Sequence, residues 1–253
     1  MRRAAALSLF ALAPLLLAAD KPVLVPDVSQ RDVEIRYSFT GAELLLFGAI
    51  LYPGGRVPAK PAEVAVVLRG PVQPIVVREK QKVAGIWVNA ESVRFRSAPA
   101  FYAVASSRPL DQMVDARTAA IFELGLGNLQ LSPANVGSPG ELSRFEDGLI
   151  DLRRRTLLYG QRTSGVEITD GVLYRARLVI PARVPVGRYT AETFLIQDGR
   201  VIAGASRDVA IRKTGFEGYV ADAAEHSPVA YGLFATAMSV LLGWAAGALF
   251  RRR

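Results

Sequence analysis

From Val33 onward the chain alternates. Val33, Ile35, Tyr37 and Phe39 are apolar, and Glu34, Arg36 and Ser38 between them are polar. A period of two places the two sets on opposite faces of an extended chain, so 33–39 predicts a half-buried strand. Thr40-Gly41 breaks the pattern, and Leu44 to Ile50 is continuously apolar, as a central strand would be. Tyr52-Pro53-Gly54-Gly55-Arg56 is a turn cluster. Further strands are predicted at 63–69, 72–78, 83–89, 92–96 and 100–106. Short strands at this density, separated by turn signals, are the pattern of an immunoglobulin-like sandwich.

The pattern changes over 109–160. Pro109-Leu110-Asp111 opens a predicted helix to about Glu123, and the Gly-, Pro- and Asn-rich stretch from Leu124 to Gly140 reads as a long loop. Leu142, Phe145, Leu149, Leu152 and Thr156 then share a helical face, with Gly160 placed to end the helix. Arg153, Arg154 and Arg155 on that helix read as a solvated face beside Glu146, Asp147 and Asp151. From 164 to 213 the period of two returns. Val172, Tyr174, Ala176, Leu178 and Ile180 alternate with Arg175 and Arg177, Pro185 to Tyr189 has a turn-then-Tyr form, and Asp198-Gly199 is a hairpin signal.

Two apolar segments flank this region. Ala4 to Leu17 follows Arg2 and Arg3 and precedes Ala18-Ala19, the three parts of a secretory signal. Residues 230–250 carry no charge. At about 1.5 Å per residue they cover roughly 30 Å of hydrocarbon, and Arg251, Arg252 and Arg253 behind them favour the cytoplasmic side. The expected fold class is therefore mainly β. Immunoglobulin-like sandwich modules and an intervening helical segment are joined to an N-terminal signal helix and one C-terminal transmembrane helix. The expected divisions are a signal over 1–19, a β-sandwich module over 20–108, a helical connector over 109–160 and a second β module over 161–214. A juxtamembrane linker over 215–229, a transmembrane helix over 230–250 and a cytoplasmic basic tail over 251–253 complete them. The second β module forms its own sandwich or completes the first, with two modules favoured.

Charge and composition narrow the chemistry. The formal net charge of +8 is inflated by the flanks, because five of the 31 Lys and Arg are Arg2, Arg3, Arg251, Arg252 and Arg253. The remaining 26 basic residues face 23 acidic ones. That balance supplies no concentrated patch for nucleic acid, which is not an expected partner. Cysteine is absent, so disulfides and thiol chemistry are excluded, and with His226 as the single histidine neither a Ser-His-Asp triad nor a multi-histidine zinc site is expected. No cofactor, metal or catalytic residue is expected, and the chain is read as non-enzymatic.

The most pointed polar cluster is Arg69, Arg78, Lys80, Trp87, Asn89 and Arg108. Gathered at strand ends, its cations would hold an oxyanion through charge-assisted bonds. Otherwise they are strand-terminal charges in water, with Trp87 and Phe101 in the core. In the last helix Ala235, Ser239, Gly243 and Gly247 recur every four residues, a stripe of small residues that favours helix–helix packing in lipid.

Several phrases resemble an uncharacterised family of predicted alphaproteobacterial transmembrane proteins. They are Phe39 to Ala49, Val67-Leu68-Arg69-Gly70-Pro71, Gly85-Ile86-Trp87-Val88-Asn89, Phe101 to Leu110, and the stretch from Gly215-Phe216-Glu217 through the final arginines. The resemblance implies a Gram-negative inner-membrane protein with its bulk in the periplasm, and it brings no activity. The leading expectation is an interaction or accessory subunit of a membrane complex, for example a transporter. Its partner would be another integral membrane protein or a second copy, met through the transmembrane helix. The alternatives are a periplasmic module for an anionic ligand or envelope polysaccharide and, more remotely, an enzyme working without His or Cys.

Overall fold

The computed structural model describes residues 21–35, 41–134, 137–213, 220 and 223–250. The signal at 1–19, residues 36–40 of the predicted strand, most of the linker after Lys213 and Arg251 to Arg253 lie outside the described residues.

The strands are β1 (Val23–Val28), β2 (Asp32–Ile35), β3 (Gly41–Leu51), β4 (Glu63–Arg69), β5 (Val72–Val83), β6 (Ile86–Pro99), β7 (Tyr102–Ser106), β8 (Ser132–Pro133), β9 (Tyr159–Arg162), β10 (Val166–Thr169), β11 (Leu173–Pro181), β12 (Gly187–Gln197) and β13 (Arg200–Lys213). The helices are α1 (Leu110–Met113), α2 (Ala116–Ile121), α3 (Pro139–Arg155) and α4 (Pro228–Phe250). One sheet has the order β1-β3-β11-β10, and a second has the order β2-β13-β12-β4-β7-β9. Both contribute to a single hydrophobic cluster, in which Leu44, Ile50, Tyr174 and Ile180 of the first sheet join Leu68, Tyr189, Leu195 and Val209 of the second.

The expected division into two β modules gives way to one shared core. In the first sheet β3 pairs with β11, and in the second β4 pairs with β12, so both sheets interleave strands from before and after the helical segment. All five residues of β7 and the five central residues of β4 are buried, because the outer face of these strands is covered as well. Leu110, Met113, Ala119, Leu124 and Leu126 supply that cover. A strand buried on both faces reads as continuously apolar rather than alternating.

The helix predicted from Pro109 to Glu123 is instead two short helices. Val114 leaves helical geometry to bridge Gly199, and the Asp115 N–H donates to the Gly199 carbonyl at 3.0 Å. The Asp115 side chain then caps α2 by accepting from the Thr118 N–H. The helix α3 ends earlier than Gly160 suggested. Leu157 takes φ +61°, and the Leu158 and Leu157 N–H groups donate back to Arg153 and Arg154, a Schellman closure built on leucine. Gly160 lies within β9. The basic run at the end of α3 is solvated, apart from a pair between Arg155 and Asp151 at 2.8 Å, and it complements the helix dipole.

The predicted strands 72–78, 83–89 and 92–96 are two long strands, β5 and β6, of a single hairpin. Its two turn residues, Ala84 and Gly85, both have positive φ (+49° and +87°), the geometry that matches the twist of a hairpin. The base of the hairpin packs on α3 through a second, smaller core of Val77, Val93, Phe95, Ala98, Phe145 and Leu149.

Candidate functional site

The polar cluster singled out from the sequence does not assemble. Arg69 stands at the end of β4, whereas Arg108 pairs with Glu63 at its beginning. Seven residues at about 3.3 Å each put roughly 20 Å between them. Each is also occupied. The Arg69 guanidinium donates to Glu123 Oε2 at 2.8 Å and to the Phe122 carbonyl at 3.0 Å. Its Nε lies 3.2 Å from Glu192 Oε2, an ion-pair distance without hydrogen-bond geometry. Arg108 is held by Glu63 and by Gln112 Oε1 at 3.1 Å. Arg78, Lys80, Trp87 and Asn89 are on the hairpin. No common oxyanion site therefore joins Arg69 or Arg108 to the others.

Arg69 instead clamps β4 to the segment after α2. Its side chain is 27 % exposed, and those of Glu123 and Glu192 are 23 % and 30 % exposed. Beside it, the Tyr102 hydroxyl donates to the Glu123 carbonyl at 2.7 Å and accepts from the Gly125 N–H at 2.9 Å. Burial pushes the Tyr102 hydroxyl well above its ordinary pKa. Removing the guanidinium would leave two half-buried carboxylates facing each other. Arg69→Ala is expected to lower stability by about 2 kcal/mol, less than a fully buried pair would lose, because water reaches the site. Glu123→Ala in the same chain should recover about 1 kcal/mol of that. A denaturant double-mutant cycle measures both, and an Arg69→Ala cost within about 0.5 kcal/mol would remove the clamp from the account.

A cleft of about 420 Å³ lies between α1, α2 and the turn at Leu126 to Asn128. Its polar groups are mostly committed. Asn128 Nδ2 donates to the Leu124 carbonyl at 2.7 Å, and Gln161 Oε1 accepts from the Leu126 N–H at 3.2 Å. Asp111 is the lone carboxylate in its wall, so the cleft offers no acid–base pair.

Two further features among the described residues are open to other molecules. The first is the outer half of the hairpin. A bulge at Ala90, between the pairs Glu79–Glu91 and Lys80–Asn89, divides it from the half that α3 covers. Beyond the bulge Val83, Ile86, Trp87 and Val88 are exposed, Ile86 by 68 % and Trp87 by 65 %. Phe101 is in the core at 1 % exposure, but Trp87 is not. By register Lys82 faces Trp87 and Lys80 faces Asn89, so these four share one face of the hairpin. Lys82, Arg94 and the apolar tip went unrecognised in the sequence. Their signal was a basic residue at every second position, Arg78, Lys80 and Lys82, ahead of a two-residue turn.

The second feature is α4. It runs through Ala235, Ser239, Gly243 and Gly247, and the window Pro228–Ala248 has a mean hydropathy of 1.6 and no buried residue. Ser239 and Thr236 turn their hydroxyls back onto the Ala235 and Gly232 carbonyls, each at 2.8 Å, which satisfies them within the helix. At Gly243 and Gly247 an added Cβ would meet nothing, so these positions leave the backbone accessible.

A family model described as "Putative transmembrane protein (Alph_Pro_TM)" matches residues 23–252. No curated protein matches the chain.

Proposed function

The chain belongs to that transmembrane-protein family, and from this premise we propose that it is a single-span inner-membrane protein whose sandwich serves as a non-enzymatic accessory subunit of a membrane complex. The observation that carries the reading is the uncovered α4. A helix of this apolarity that its own chain leaves exposed meets lipid or another helix. The stripe Ala235, Ser239, Gly243 and Gly247 favours a helix, since small side chains let two backbones approach closely. A transporter is one such partner. The arginines at 251–253, against Glu225 and His226 at the other flank, favour a cytoplasmic C-terminal side and a periplasmic sandwich.

The immunoglobulin-like reading of the sandwich has two supports. The order β1-β3-β11-β10, and the order β2-β13-β12-β4-β7 that β9 extends by one parallel strand, follow the arrangement of the two immunoglobulin sheets, with β5, β6 and α3 inserted. The Tyr189 hydroxyl donates to the Pro185 carbonyl at 2.6 Å, as in a tyrosine corner. Such domains commonly bind other proteins, which agrees with an accessory role.

The test is co-purification of the tagged full chain from its native membranes in mild detergent. The wild type should bring down an integral membrane partner in stoichiometric amount. Gly243→Leu with Gly247→Leu should reduce that partner about tenfold, the loss of roughly 1.4 kcal/mol of helix packing, while the thermal midpoint of the sandwich stays put. Recovery unchanged by both leucines would overturn the reading.

A further inference from the structure

The hairpin has two chemically different faces. The face that α3 covers at its base carries Val77 and Val93, and also Glu79 and Glu91, both held by Arg144 at 3.3 and 2.5 Å. The other face is open along its whole length. On β5 it presents Arg78, Lys80 and Lys82 at alternate positions, about 6.6 Å apart. On β6 it presents Arg94, opposite Val76, and Trp87, opposite Lys82. Glu79 and Glu91 are the only carboxylates in β5 and β6, and both belong to the opposite face. Among the described residues, Arg78, Lys80, Lys82 and Arg94 have no ion-pair partner. At the tip Val83, Ile86, Trp87 and Val88 stand in water around the Ala84-Gly85 turn.

The position of this hairpin in the fold is as informative as its composition. Arg69, the last residue of β4, pairs with Thr190, and Thr190 pairs with Asp208 near the end of β13. Strands β4 and β13 therefore finish at the same end of the sandwich. The hairpin is rooted there, and the chain leaves from there towards α4. Of residues 214–227 the turn 223–226 is helical and rises only about 6 Å, so with the other ten extended the tether spans at most about 40 Å, and a hairpin arm of this length also reaches about 40 Å. The tether is long enough for the tip to touch the membrane that α4 spans.

We propose that the hairpin is a second membrane contact, whose apolar tip enters the bilayer interface while Arg78, Lys80, Lys82 and Arg94 engage anionic phospholipid headgroups. Tryptophan suits that depth, with an apolar ring and one N–H to hydrate, and each Lys or Arg near an anionic surface tightens contact about fivefold. An acidic protein surface would match the charge. It would not account for an exposed Val-Ile-Trp-Val tip on the same end of the sandwich as the membrane tether.

The test uses the chain's two tryptophans. In the full chain carrying Trp244→Phe, Trp87 alone reports. The protein is reconstituted into phosphatidylcholine vesicles with and without phosphatidylglycerol, with bromine on the acyl chains. In phosphatidylglycerol vesicles the Trp87 emission should shift to the blue and be quenched by bromine, and high salt should weaken both. Arg78→Gln, Lys80→Gln and Lys82→Gln together should weaken the contact about 100-fold, with an unchanged thermal midpoint showing that these exposed positions leave the fold intact. Trp87 emission that stays aqueous in both vesicle types would overturn the proposal. So would quenching that ignores both phosphatidylglycerol and the triple substitution, and so would shielding that appears only as protein concentration rises. None of these readouts depends on what packs against α4.

Discussion

Gly48→Val should destabilise the sandwich by about 3 kcal/mol and lower its thermal midpoint by roughly 10 °C. Gly48 lies in the inward row of β3 with Leu44, Leu46 and Ile50, all three of which are buried. Its partner across the sheet, Tyr174, fills the space a side chain would take. A Cβ at Gly48 would stand 2.7 Å from the Tyr174 hydroxyl and 2.9 Å from Pro26 Cα, and closer still to the Val25 carbonyl oxygen. Two of those atoms are backbone of β1, so relief requires moving a strand. The same valine at Gly54, where an added Cβ meets nothing, tests the alternative that any β-branched residue does this harm, although its φ of +67° carries a smaller cost of its own. Thermal denaturation of both variants decides. A Gly48→Val midpoint within about 2 °C of wild type would mean that the core is looser than these contacts imply.

Stability should also fall steeply above pH about 10, the ordinary pKa of tyrosine. Tyr102, Tyr159, Tyr174 and Tyr189 are buried, and burial raises all four hydroxyls, with Tyr159 pushed up to about 12. The Tyr159 hydroxyl donates to the Pro99 carbonyl at 2.7 Å, a bond that requires its proton. The unfolded chain ionises first, so the stability these groups supply is complete below pH about 10 and is lost as the pH climbs through each folded pKa. Tyr159 alone accounts for about 3 kcal/mol by pH 12 and above. Tyrosinate absorbance followed alongside the thermal midpoint checks the cause, because the buried hydroxyls should ionise only as the fold opens. Ionisation of all tyrosines near pH 10 with the midpoint unmoved would refute this account.

Arg69 shows why the candidate site was only partly legible. Its neighbours in sequence, Gly70 and Pro71, suggested a strand end open to an anion. Its actual partners are Glu123, 54 positions away, and Glu192. An ion pair of that kind leaves no local trace, because either carboxylate would read the same beside water. The hairpin was partly visible. Lys80, Trp87 and Asn89 were singled out and do meet, but the charged stretch from Arg78 to Lys82 disguised one long strand as a break between two. What keeps that strand regular is its partner β6 rather than its own sequence.

The sequence by itself determined the continuously apolar segments that became β3, β4 and β7 and the period-two segment that became β11. It also determined the apolar helix after Pro228 and membership of a transmembrane family. These follow from patterns that a few adjacent residues carry, namely which face is apolar and how long the run is. Only the tertiary structure decided that β3 pairs with β11 and β4 with β12 across the helical segment. It also decided that Val114 breaks a helix to reach Gly199, that Arg69 and Arg108 stand at opposite ends of one strand, and that Trp87 lies outside the core. Each of these depends on which distant segment supplies a hydrogen bond, a charge or cover for an apolar face. A strand's alternation says that it has two faces, and the partner that covers each is chosen by the whole chain.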